Sequence, residues 1–258
     1  MYSTATSKKE LAFTSGVGLG SRGAAVKRLQ EWLNLHSNGI AIDGEFGPAT
    51  ELAMNNFQKA KRISLSSTVT AQTWTALTQP MTNSLASAGG APAMVSRACL
   101  DTANVHLSAH PLEVGGDNRG PWVRLYTGGN EGVEWRWCAG FVSFVMRQAC
   151  GWAGMATPIT GTLSCDTLAA QGQSAQRFIA GRGLSNGAAA VAALGPCAIF
   201  LSRRTPGDWT HTGFAFNFNG STFETIEGNA NDEGSSNGYE VCHRIRRLDG
   251  DKDFIKLD

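Results

Sequence analysis

The chain has no apolar run approaching the roughly 20 residues that cross a bilayer. Its first residues, Met1-Tyr-Ser-Thr-Ala-Thr-Ser-Lys-Lys-Glu10, set their charges before no apolar segment. Neither membrane insertion nor a secretory leader is therefore expected. Excess charge of one sign is also missing, since 22 Lys+Arg against 21 Asp+Glu leave +1. Nucleic acid and anionic membrane surfaces need concentrated Lys/Arg fields, so neither is an expected partner. The six cysteines, Cys99, Cys138, Cys150, Cys165, Cys197 and Cys242, contain no Cys-x-x-Cys spacing. That removes the usual signals for a zinc site or a dithiol redox pair. If one cysteine stays free as a nucleophile, five remain, and a full disulfide framework is not expected.

What is present is length enough, at 258 residues with 42% hydrophobic and 17% charged, for two modest domains with a core each. Residues 1–80 hold 8 Lys+Arg against 5 Asp+Glu, and the remainder 14 against 16, so the front is mildly basic and suits an anionic polymer. From Gln79 to Pro92 the composition is small and polar with Pro and Gly at both ends, which reads as a linker over 79–92. Before it, over 1–78, three short amphipathic helices are expected. One carries Val26, Leu29 and Leu33, one Ala53 and Phe57, and a third Trp74 and Leu77. Between the first two, the glycines of Ile42-Asp-Gly-Glu-Phe-Gly-Pro-Ala-Thr50 permit a tight turn, and Pro48 suits a first helical position.

The spaced set Gly23, Val26, Leu29-Gln30, Leu33, then Asp43-Gly44-x-Phe46-Gly47-Pro48-x-Thr50, then Phe57-Gln58 and Thr73-Trp74-x-x-Leu77, resembles the small three-helix peptidoglycan-binding domain. The likeness covers about residues 16–78. It departs at Ser66-Ser-Thr-Val-Thr70, where an Asp-Gly-x-Val turn is more usual. The resemblance implies attachment to bacterial peptidoglycan through an all-α bundle.

Residues 93–258 read differently. A helix is expected over 93–107, a loop over Glu113–Trp122, and a helix from Cys138 whose inward face holds Phe141, Val142, Val145, Met146 and Ala149. Strand patterns follow at Cys197–Leu201, His211–Phe218, Thr222–Glu227 and Tyr239–Ile245. Helices first and strands later imply an α+β domain with an antiparallel sheet.

Cys138 stands between the tryptophan-rich Glu134-Trp-Arg-Trp137 and an apolar helix. A helix N-terminus offers unpaired N–H groups and the positive end of the dipole, which favour a thiolate. Cysteine nucleophiles need a base and a group to orient that base. His211 opens an alternating strand, and a hairpin turn at Asn219-Gly220 would return Glu227 and Asn229 to its end of the sheet. His36, His106, His110 and His243 read as surface or satisfied histidines.

Together Trp137-Cys-Ala-Gly-Phe-Val142, His211-Thr-Gly-Phe214 and Ile226-Glu-Gly-Asn229 resemble the CHAP amidohydrolase/peptidase domain of the wider papain-like and NlpC/P60 group, and Asn118-Arg-Gly-Pro121 resembles its approach loop. A Pro-Gly-Asp usually opens the preceding strand. Here Pro206-Gly-Asp208 lies just before His211, and Gly195-Pro196 takes the earlier place. The resemblance implies Cys138 as nucleophile, His211 as general base, Glu227 as orienting carboxylate and Asn229 as a helper. It calls for no metal or organic cofactor. Trp122, Tyr126, Trp135 and Trp137 line a cleft or fill a core. The expected protein is a monomeric modular peptidoglycan hydrolase, an amidase or endopeptidase. A phage endolysin is the expected setting, with a secreted antibacterial effector, a non-catalytic wall-binding or virion protein, and an acyltransferase as alternatives.

Overall fold

Helix α2 (Ala24–Leu35) starts where Gly23 turns the backbone to φ 105°, and it buries Val26, Leu29, Trp32 and Leu33 on one side. Its buried Gln30 organises the turn that follows. The amide Nε2 donates to Asp43 Oδ1 (2.7 Å) and Thr50 Oγ1 (3.1 Å), while Oε1 accepts from Gly44 N (2.8 Å). Gly44 has φ 75°, a conformation that side chains disfavour. Pro48 is the first residue of α3 (Pro48–Ala60), and Gln58 donates from there to Thr73 in α4 (Ala71–Ser84) at 3.0 Å. The motif residues are thus core and turn.

The computed structural model describes residues 1–90, 92–186, 191–231 and 238–258. Three of its departures from the sequence expectations are local. A fourth N-terminal helix, α1 (Ala5–Leu11), precedes the bundle, closed by a capping box between Thr4 and Ser7. The expected linker begins later, because residues 79–84 complete α4 through Pro80. A proline inside a helix costs about 3 kcal/mol, but fully burying Met81 and Leu85 recovers about 1.5–3 kcal/mol each. Residues 85–90 keep the linker character, and Ala91 lies outside the described residues. Third, the loop expected to reach Trp122 ends at Gly120, where α6 (Pro121–Thr127) starts.

The rest comprises α5 (Val95–Ala109), α7 (Cys138–Ala153), α8 (Cys165–Ser174) and a six-stranded antiparallel sheet. Its strands are β1 (Phe178–Ile179), β2 (Cys197–Thr205), β3 (Asp208–Phe216), β4 (Thr222–Ala230), β5 (Glu240–Arg247) and β6 (Lys252–Lys256), in the order β1-β6-β2-β3-β4-β5. Strand β2 reads as a continuous apolar run because both its faces are covered. Ile199 and Leu201 join the helical core, and Ala198 and Phe200 join a second cluster with Phe223 and Phe254. Pro206-Gly207 forms the turn between β2 and β3. No helix among the described residues is long and apolar enough to cross a membrane.

Instead of two separate cores, one connected cluster runs from Leu33, Phe57 and Leu77 through Met81 to Phe141, Val145 and Phe214. Arg124 of α6 is the polar node of this seam. It makes paired contacts with Glu10 of α1 (2.8 and 2.9 Å) and Glu31 of α2 (3.2 and 2.7 Å), and reaches Glu131 at 2.7 Å. Removing one partner of a buried ion pair strands the other charge. Arg124→Met therefore leaves Glu10 and Glu31 buried and unpaired, and is expected to lower unfolding free energy by about 3–5 kcal/mol in urea denaturation. A change under about 1 kcal/mol would show that the node carries no such load.

Candidate functional site

Cys138 is the first residue of α7, with Trp137 as its N-cap. Two contacts fix this helix start, one to β4 and one to the loop after α5. Asn229 Oδ1 accepts from Trp137 N (3.3 Å), and Glu113 Oε1 accepts from the Trp137 indole (2.7 Å). Gly228 permits the approach, since a Cβ there would lie 2.7 Å from Phe141 Cβ. Asn229 has φ 54° at an irregularity in β4, and its Nδ2 donates to Gly238 O (2.7 Å) and Asn118 Oδ1 (3.2 Å). Its contacts are thus with the helix entrance, the approach loop and Gly238 before β5, and the contact to His211 comes from Glu227.

The β3–β4 ladder pairs Phe214–Phe216 with Glu224–Ile226. Just beyond its end, His211 Nε2 meets Glu227 Oε2 at 2.8 Å. Nδ1 of His211 is buried without a hydrogen-bond partner, which leaves it as the nitrogen available to the Cys138 thiol beside the ring. Glu227 also accepts from Thr225 Oγ1 (2.5 Å) and from both Nε and an outer nitrogen of Arg246. Cys138, His211 and Glu227 are 4%, 1% and 0% exposed. Cys138 Sγ further lies 3.8 Å from Cys165 Sγ.

Charge explains the titration of this cluster. Burial alone would lower the pKa of His211, but the Cys138 thiol and the Glu227 carboxylate outweigh it and raise the ring to about 9. His106 is buried to the same extent, yet its partners, Tyr126 Oη (2.8 Å) and Gln148 Oε1 (3.1 Å), are neutral, and it falls to about 4. Burial pushes Glu227 up, but Arg246 and then His211 hold it well below the usual carboxylate range. Cys138 is held well below an ordinary thiol, first by its contact with Cys165 and then by His211, against the effect of burial. The arrangement can hold a thiolate, an imidazolium and a carboxylate in sequence.

All six cysteines are free. Trp122, Tyr126 and Trp137 are core residues stacked on one another, and Trp135 lies at the surface. His36 bonds Leu77 O, His110 bonds Glu240 and His243 bonds Glu224. Sequence reasoning missed Cys165, Thr225 and Arg246. Alternation along the strands signals Thr225 and Arg246 once β4 and β5 are in register, Glu227 opposite Cys242 and Phe223 opposite Arg246. No spacing signals Cys165.

Residues 22–77 match the family model described as "Putative peptidoglycan binding domain". The chain matches no curated protein and no solved structure. That match covers α2, α3 and most of α4, and it supports an N-terminal peptidoglycan-binding module and association with the cell wall.

The folded pKa of His211 lies above its ordinary 6.5, so the stability it contributes is complete below pH 6.5 and lost as pH rises through about 9. Nitrogen NMR of labelled histidines should show His211 titrating at about 9 and His106 at about 4. A His211 midpoint below 6.5 would contradict the charged-partner account.

Proposed function

We propose that the chain is a modular peptidoglycan hydrolase in which Cys138 attacks an amide carbonyl of the wall. The observation that carries this reading is the Glu227–His211 contact, with Nδ1 left over beside a thiol at the start of α7. The order of elements, a cysteine-headed helix packed on a later antiparallel sheet, supports kinship with CHAP and papain-like hydrolases.

The Cys138 thiolate adds to the carbonyl carbon, and the oxyanion meets the unpaired N–H groups of the first turn of α7, that of Cys138 first. His211 gives its Nδ1 proton to the leaving amine, and the carbon–nitrogen bond breaks to leave a thioester. Water, deprotonated by the same nitrogen, then hydrolyses the thioester. Glu227 keeps the ring oriented and stabilises its charged form. The scissile bond is the N-acetylmuramoyl-L-alanine amide or a peptide bond of the stem or bridge. The setting is a phage endolysin or a secreted antibacterial effector with the same chemistry, acting at the wall.

A non-catalytic wall-binding protein is the second reading, favoured by one observation: the three central side chains are almost wholly enclosed. Turbidity of purified sacculi separates the two. Wild type should clear them, Cys138→Ala should not, and Glu227→Gln should clear them about 10²-fold more slowly or worse. Equal clearing by wild type and Cys138→Ala would exclude cysteine catalysis, and no clearing by any of them would favour the binding-only reading.

A further inference from the structure

The mechanism gives Cys165 no task, although its sulfur lies 3.8 Å from that of Cys138. It does not reach that place on a loose segment. Cys165 opens α8, whose N-cap Ser164 accepts from Thr167 N at 3.3 Å. The neighbouring Asp166 accepts from Trp209 N (2.7 Å), which ties the first turn of α8 to β3 two residues before His211. Leu168 and Ala169 are fully buried and seat the helix on the sheet. The anchors that place α8 therefore hold the second thiol against the first.

Two thiols this close cannot both ionise cheaply, because like charges in a shared buried site repel. The charge belongs on Cys138. The His211 ring favours an anion on that sulfur, whereas the contact with Cys138, burial and then the Asp166 carboxylate oppose ionisation of Cys165. Cys165 is then left protonated, with one donor and an anionic acceptor within sulfur hydrogen-bond range.

We propose that Cys165 is a positioning residue whose S–H donates to the Cys138 thiolate and fixes the attacking sulfur in place. This rests on the cysteine-nucleophile reading above. Its consequence is a thiolate that persists to lower pH than His211 and the helix terminus alone would allow.

The test follows alkylation of Cys138 in the full chain, under reductant removed just before a small reagent, iodoacetamide, is added. Peptide mass mapping reads the rate at Cys138 separately from the other five cysteines. In Cys165→Ala the acid limb of the pH profile should rise by about one pH unit. Cys165→Ser, which keeps a donor, should return the limb to the wild-type position. Cys165→Val replaces the alanine variant, with the same expected shift, if the smaller side chain fails to fold. An unmoved limb in the apolar variant, or a serine variant shifted as far as it, would overturn the proposal and leave the hydrolase reading intact. A wild-type Cys138 that alkylates only near the ordinary thiol pKa of about 8.5 would overturn both.

Discussion

The charge on Glu227 is the constraint on which the site depends. A carboxylate enclosed this fully would ordinarily take up a proton, because desolvating an ion costs several kcal/mol. Arg246 prevents it, gripping both oxygens, with Thr225 donating to one of them. The Cys138 sulfur and the fixed anion together favour a cation at His211, and that cation in turn favours a thiolate at Cys138. Arg246, Glu227, His211 and Cys138 thus form a chain of alternating sign, in which each charge favours the next. His106, equally buried but among neutral partners, shows the direction in which burial alone drives a histidine ring.

The seam between the N-terminal helices and the rest of the chain follows similar logic on a larger scale. Arg124 collects carboxylates from α1, α2 and the segment after α6, so a single cation holds three separate stretches of chain. Around it the apolar core is continuous, and Gln148 of α7 donates to Ser84 O at the end of α4 (2.6 Å). The helices that match the peptidoglycan-binding family model are therefore packed against the helix that begins with Cys138. In the proposed hydrolase, wall binding would raise the concentration of substrate around that residue.

Much of this was legible where the signal was local. The Gln30, Asp43-Gly44 and Thr50 pattern marks the N-terminal module because those side chains bond one another. The helix beginning at Cys138 announced itself by its apolar face, and the Asn219-Gly220 turn brought Glu227 back to His211 as hairpin geometry requires. Long-range features were not legible. Strand β6 inserts between β1 and β2, a pairing that no local pattern encodes. The grip of Arg246 on Glu227 depends on β4–β5 register, which no local pattern encodes. The seven-residue α1 is too short for periodicity to find, and Pro80 looked like the end of a helix that tertiary burial carries onward. Asn229 stood near enough to Glu227 to be grouped with it, yet its backbone conformation turns the amide to the helix entrance instead.

The most direct test of cysteine-dependent amide hydrolysis is mass spectrometry of the material that the protein releases from purified sacculi. The account predicts soluble fragments carrying a new amine and a new carboxylate at a former amide bond, and none from the Cys138→Ala protein. Fragments cut only at glycosidic bonds, or the same amide products from the variant, would contradict it.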